Sequence, residues 1–173
     1  MKTNYHERKR SFLSSSKKIF ALVLITATLL GQLTFAQDST KTNPSELLRA
    51  YLDIKNALVA SDPSAASIKA GQFVKTLNGI DSKVVNEGTR NAMLKHAGQM
   101  SVSKDLRVQR ENFATLSANM YILAKSVKLS GEPVFYVYCP MKKAYWLSSD
   151  ASIKNPYYGS AMLTCGQVTE TIK

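Results

Sequence analysis

Downstream of residue 43, apolar side chains recur at helical spacing in four successive stretches. Leu47, Leu48, Tyr51, Leu52, Ala57, Leu58 and Val59 give residues 44–60 one apolar face, which predicts an amphipathic helix. Asn43 stands where a cap belongs, Pro44 suits the first helical position, and Glu46 occupies the carboxylate position of a capping box. Asp62-Pro63 repeats the cap-then-proline signal, and Ala66, Ala70, Phe73, Val74 and Leu77 form the stripe of a second helix ending near Asn78-Gly79. Residues 85–101 read as a third, with Ala92, Met93, His96 and Met100 along one side and Gly88 and Gly98 weakening it. A fourth is expected from Asp105 to Lys128 on Leu106, Phe113, Leu116, Met120, Leu123 and Ala124. Four helices with short connections, each apolar on one side, pack most economically as an antiparallel bundle.

The period changes at Gly131-Glu132-Pro133. Val134-Phe-Tyr-Val-Tyr138 is β-branched and aromatic, as a short strand requires, and the remainder is rich in Pro, Gly and Asn turns. Such a segment is too irregular to stand alone, so its aromatics are expected to pack it on the helices. The fold class expected is mainly α. An antiparallel four-helix bundle spans 44–130 and a strand-and-turn segment spans 131–173, together one domain.

The first 36 residues follow another logic. Arg8, Lys9, Arg10, Lys17 and Lys18 precede an apolar run from Ile19 to Leu30, and small residues follow at Thr34 and Ala36. This is the layout of a signal peptide cleaved after Ala36, which directs the protein out of the cytoplasm. The apolar run is shorter than the ~20 residues that cross a bilayer, so no stable membrane insertion is expected after cleavage. Residues 37–43 are polar and read as a flexible leader.

Export changes the reading of charge. The chain carries +11 overall, but the signal holds six of the 23 Lys and Arg and one of the 12 Asp and Glu, leaving +6. The remaining cations are interspersed with acids, which suits a solvated surface and gives no phosphate-binding stripe, so a nucleic-acid partner is not expected.

Candidate chemistry concentrates in the C-terminal segment. Cys139 and Met141 are two apart and share a side of an extended chain, while Met162 and Cys165 are three apart and are neighbours on a helical turn. If the turns between them fold the segment back, four sulfurs converge, and thiolate with thioether favours Cu(I) or Ag(I) over hard cations. A Cys139–Cys165 disulfide with both methionines in the core is the competing expectation in an oxidising compartment. In that alternative the domain is a non-enzymatic structural or interaction module presenting Tyr136, Tyr138, Trp146 and Tyr157 to a partner. Met93, His96 and Met100 form a weaker second ligand set on the third helix. No enzyme is expected, because His96 is the one histidine after residue 36, nothing places it beside either cysteine, and no nucleophile elbow, phosphate loop or HExxH occurs. Arg110 is expected to tie the C-terminal segment to the bundle through carbonyl or carboxylate contacts.

Four stretches together resemble the exported bacterial domain of unknown function numbered 3347: Gln109-Arg-Glu-Asn-Phe-Ala-Thr-Leu-Ser117, Tyr138-Cys-Pro-Met141, Trp146-Leu-Ser148, and Ile153 through Gly166. The resemblance covers most of residues 44–172. Domains of that kind occur alone or joined to periplasmic adaptor subunits of copper and silver efflux pumps, which implies a metallochaperone or sensor with an efflux adaptor as partner. Tyr138-Cys139-Pro140-Met141 is also similar to the opening of short heavy-metal-binding modules, which implies Cys139 and Met141 as ligands. Here Lys142-Lys143 replaces their His-Pro, and a single Cys165-Gly166 replaces their later two-cysteine group. Trp146, Tyr157 and Tyr158 are expected to shape and shield the site.

Overall fold

Side-chain caps start each of the four α-helices described in the computed structural model, which describes residues 42–173. The helices are α1 (Pro44–Val59), α2 (Pro63–Gly79), α3 (Glu87–Val102) and α4 (Leu106–Ser126). Asn43 Oδ1 accepts the Ser45 N–H at 3.0 Å, Asp62 Oδ1 those of Ser64 and Ala65 at 2.9 Å, Asn86 Oδ1 that of Thr89 at 2.9 Å, and Asp105 Oδ1 that of Arg107 at 2.7 Å. Each bond satisfies an otherwise orphaned first-turn donor.

The C-terminal ends are capped from a distance. Neither α1 nor α2 carries a basic residue in its own last turn. Arg90 of α3 donates to the carbonyls of Leu77 (2.7 Å) and Ile80 (2.9 Å) at the end of α2, and Arg110 of α4 donates to Leu58 (3.2 Å) in the last turn of α1. A guanidinium at these carbonyls adds a second donor to helix-end acceptors and opposes the partial negative charge there, while tying one helix to another.

The bundle is mixed from all four helices. Leu47, Tyr51, Ile54, Leu58, Phe73, Leu77, Met93, Met100, Phe113, Leu116 and Met120 are buried together. Tyr51 and Phe113 stack with centroids 5.1 Å apart. Buried Gln109 donates through Nε2 to the carbonyls of Pro63 (2.9 Å) and Ser103 (2.7 Å), so it joins the start of α2 to the end of α3.

The remaining chain forms a three-stranded antiparallel sheet of order β2-β1-β3, with β1 Val134–Cys139, β2 Ala144–Ser148 and β3 Gln167–Ile172. Tyr136 lies opposite Leu147 and Tyr138 opposite Tyr145, so these four share one face. That face meets α4, where Tyr121 stacks on Tyr136 at 3.9 Å. Val137, Cys139, Ala144 and Trp146 share the other face, against which residues 149–166 fold. The sheet therefore lies between a helix and a loop.

Mainly helical architecture with a C-terminal strand segment agrees with the sequence expectation. Differences are local. The third helix starts at Glu87 instead of 85, and the fourth ends at Ser126 instead of 128. β2 and β3 were unexpected: β2 has only five residues, and β3 is an edge strand with mostly exposed side chains. Thr42, assigned to the flexible leader, donates its N–H to Gly79 O at 3.2 Å, and Asn43 caps α1. The signal peptide, its cleavage after Ala36 and the rest of the leader lie outside the described residues. Among the described residues no helix is long and apolar enough to cross a membrane.

One hydroxyl joins the layers. Tyr51 Oη accepts the Leu147 N–H at 3.0 Å and lies 2.7 Å from Ser117 Oγ, and burial holds this phenol far above its ordinary pKa. Tyr51→Phe leaves the buried Leu147 N–H without its partner and takes one from Ser117, so denaturant unfolding should show a loss of about 1–3 kcal/mol at unchanged helix content. A loss under about 0.5 kcal/mol would mean that this bond does not join the sheet to the bundle.

Candidate functional site

The chain reaches the candidate site along two routes. Cys139 ends β1 and is fully buried; a turn through Pro140–Lys143, closed by Lys143 N–H on Cys139 O at 2.8 Å and by Lys143 at φ 55°, leads into β2. Cys165 follows a short 3₁₀ turn (Gly159–Met162), with its N–H on Met162 O at 3.1 Å, and is half-buried just before β3. These routes bring the two sulfurs to 3.9 Å, both as free thiols.

Asn155 organises the pair and was seen in the sequence only as part of a turn. It is fully buried, and its Nδ2 donates to Cys139 Sγ (3.2 Å) and to Cys165 O (2.7 Å) while its Oδ1 accepts the Tyr157 N–H (2.8 Å). The Lys142 N–H adds a longer contact to Cys139 Sγ at 3.4 Å. Burial pushes the Cys165 thiol up, the hydrogen bond and charge of Cys139 push it further, and the Met141 backbone N–H pulls it down. Two adjacent sulfurs thus hold at least one proton more tightly than a free cysteine, because the second negative charge is opposed by the first.

The loop that carries Asn155 is held from the bundle side by Arg110. Its Nε donates to Pro156 O at 3.0 Å, while Nη2 donates to Leu58 O and to Ser61 Oγ at 3.0 Å. The expected tie to the C-terminal segment is therefore present, and it runs through carbonyls. Ser61 ends α1 at φ 56°, a left-handed position that costs a non-glycine residue about 1 kcal/mol. Its N–H on Leu58 O and the Asp62 N–H on Ala57 O complete the helix-terminating pair of bonds, and its hydroxyl receives Arg110. Gly159 (φ 57°) packs here, where a Cβ would stand 2.4 Å from Ser61 Oγ.

Trp146 and Tyr157 are buried, at 0% and 3% exposure, with rings edge to face at 6.0 Å. They form the floor behind the thiols. Gly166 makes room for that floor, since a Cβ there would lie 2.7 Å from Trp146 Cη2. The same burial corrects the interaction alternative, in which Trp146 and Tyr157 were to be presented to a partner: their rings fill the space between sheet, loop and α4. Tyr136 and Tyr138 are half-buried, and both rings lie 4.6 Å from Tyr145.

The other predicted ligands are divided. Met141 and Met162 lie in the turns beside the two cysteines and are 60% and 38% exposed, so their thioethers are open to solvent at the rim. Met93 and Met100 are instead core residues at 0% exposure, and the buried stripe of α3 is Thr89, Met93, Ala97 and Met100. His96 sits beside that stripe with Nδ1 2.8 Å from Asn112 Oδ1, while Asn112 Nδ2 donates to Val108 O. Two enclosed thioethers and an imidazole engaged by α4 are not an open ligand set, which corrects the second expectation; flexible methionine fills the core there. Among the described residues no group of three or more His, Cys, Asp and Glu converges.

Residues 47–132 match the family described as Protein of unknown function (DUF3347), the one that the sequence resembles. The matched stretch ends before β1, so the thiol pair lies beyond it. No curated protein and no solved structure matches the chain.

Asn155→Ala removes the donor to two acceptors and orphans the Tyr157 N–H. Unfolding in urea should show a loss of about 2–4 kcal/mol, and native Cys139 should become open to a small alkylating reagent. Unchanged stability with Cys139 still protected would remove Asn155 from this role.

Proposed function

We propose that the exported protein binds one thiophilic monovalent ion, Cu(I) or Ag(I), between Cys139 and Cys165, and serves a periplasmic efflux system as metallochaperone or sensor. The 3.9 Å separation of the two sulfurs carries this reading. With metal–thiolate bonds of about 2.3 Å, two sulfurs sharing an ion stand about 3.8 Å apart at a tetrahedral angle and about 4.6 Å apart at a linear one. The pair already falls in that range.

The donor set supports a soft ion. Two thiols with exposed thioethers on the adjoining turns match the preference of Cu(I) and Ag(I) for sulfur, and hard cations would need oxygen ligands. The Asn155 amide and the Lys142 N–H donate to Cys139 Sγ and hold it in place facing Cys165. Burial of Trp146 and Tyr157 behind the sulfurs keeps water from that side, while the exposed methionines leave a route for transfer to an acceptor. The efflux adaptor expected as partner would take the ion by this exposed side, exchanging thioether and thiolate ligands one at a time.

Titration of the reduced protein with Cu(I) against a chromogenic chelator tests the reading. One equivalent should bind, with proton release and with affinity falling as pH is lowered, because the thiols must deprotonate. Cys139→Ser/Cys165→Ser should lose competition, and Met141→Leu/Met162→Leu should weaken it less. Equal competition by the double serine variant and the native protein would end the proposal.

A further inference from the structure

Arg110 also lines an open cleft of about 420 Å³ where the first turn of α4, the β1–β2 turn and the loop meet. Its lining is Leu106, Arg107, Arg110, Lys142, Tyr157 and Tyr158, which contains three cations and no carboxylate. Arg107 is already neutralised by Asp105 at 3.8 Å and Glu111 at 3.4 Å. The other two cations are not. Arg110 donates only to two carbonyls and a serine hydroxyl, through Nε and Nη2, so Nη1 has no bond among the described residues. Lys142 is half-buried and pairs with no acid among the described residues. Partial burial lowers the Arg110 pKa, the sign of a cation that has lost water without gaining a counter-charge.

We propose that this cleft is a binding site for a small organic carboxylate. Arg110 Nη1 and Lys142 Nζ are the charged donors, and the Tyr158 hydroxyl, which has no partner among the described residues, is a third. Leu106 and the two tyrosine rings supply apolar walls for the ligand's carbon frame. The volume falls in the range of small-ligand clefts, about 300–1,000 Å³. One open guanidinium nitrogen, one ammonium and one phenol match the single charge of a carboxylate better than a phosphate dianion, and the walls favour an organic ion over an inorganic one. This site stands apart from the metal reading, although Lys142 belongs to both surroundings: its side chain lines the cleft and its N–H faces Cys139 Sγ.

Nuclear magnetic resonance titration of the purified protein with benzoate and with acetate, at constant ionic strength set by chloride, tests the assignment. Saturable shifts should cluster at the Lys142 and Tyr158 amides and at Arg110 Nε–H. Lys142→Gln, a rim variant that leaves the Arg110 anchor intact, should weaken binding about tenfold, the loss of one charge-assisted hydrogen bond. Lys142→Arg should restore most of it. Shifts that stay linear and spread over the surface for both probes, or equal affinity in Lys142→Gln and the native protein, would overturn the proposal.

Discussion

Arg110 donates to carbonyls from two distant parts of the chain, Leu58 at the end of α1 and Pro156 in the C-terminal loop, and those bonds hold the loop between β2 and β3 against the bundle. The guanidinium is suited to this because its planar fork meets several acceptors at fixed angles without a carboxylate partner. Its cost is a partly dehydrated cation, offset by the helix-end carbonyl and by the Ser61 hydroxyl. Ser61 accepts a left-handed backbone to provide that hydroxyl, and Gly159 accepts another so that the loop can pass close by. Strain at Ser61, the conformational freedom of Gly159 and one desolvated charge are thus all parts of a single joint.

From that joint the geometry propagates one residue at a time. Pro156 fixes Asn155, whose amide reaches Cys139 and Cys165 together, and Tyr157 on the other side fills the space beside Trp146. The sheet is pinned independently through Tyr51, whose hydroxyl meets the backbone of β2. Two anchors on different helices therefore bring the two cysteine-bearing segments to a common point. The pair does not arise from either segment alone, since residues 139 and 165 belong to opposite sides of β2 and the loop.

Much of the helical half was legible because its signals are local. Asn43-Pro44, Asp62-Pro63 and the apolar spacing of Leu47 to Val59 act within one helix, and Asn43 and Asp62 cap as expected, although no Glu46 carboxylate bond completes the capping box among the described residues. The stripe of α3 was read one position off around His96, because Ala92 and Ala97 are interchangeable to a periodicity argument while only packing decides which is buried. Likewise β3 went unseen because it is an exposed edge strand, defined by its pairing with β1 and weakly by its own composition. The cysteine pairing was legible as a possibility from two sulfur-bearing turns. Asn155 was not, since a buried amide that organises two thiols and an exposed amide in an Asn-Pro turn are written with the same two letters.

The pairing of the two thiols depends on the folded loop. Its most direct test is the equilibrium for closing the Cys139–Cys165 bond in a glutathione buffer, measured with the protein folded and again unfolded in urea. Preorganised sulfurs should close with an effective concentration at least about tenfold higher in the folded state. Equal values in the two states, or a lower one when folded, would show that the fold does not present these cysteines to each other.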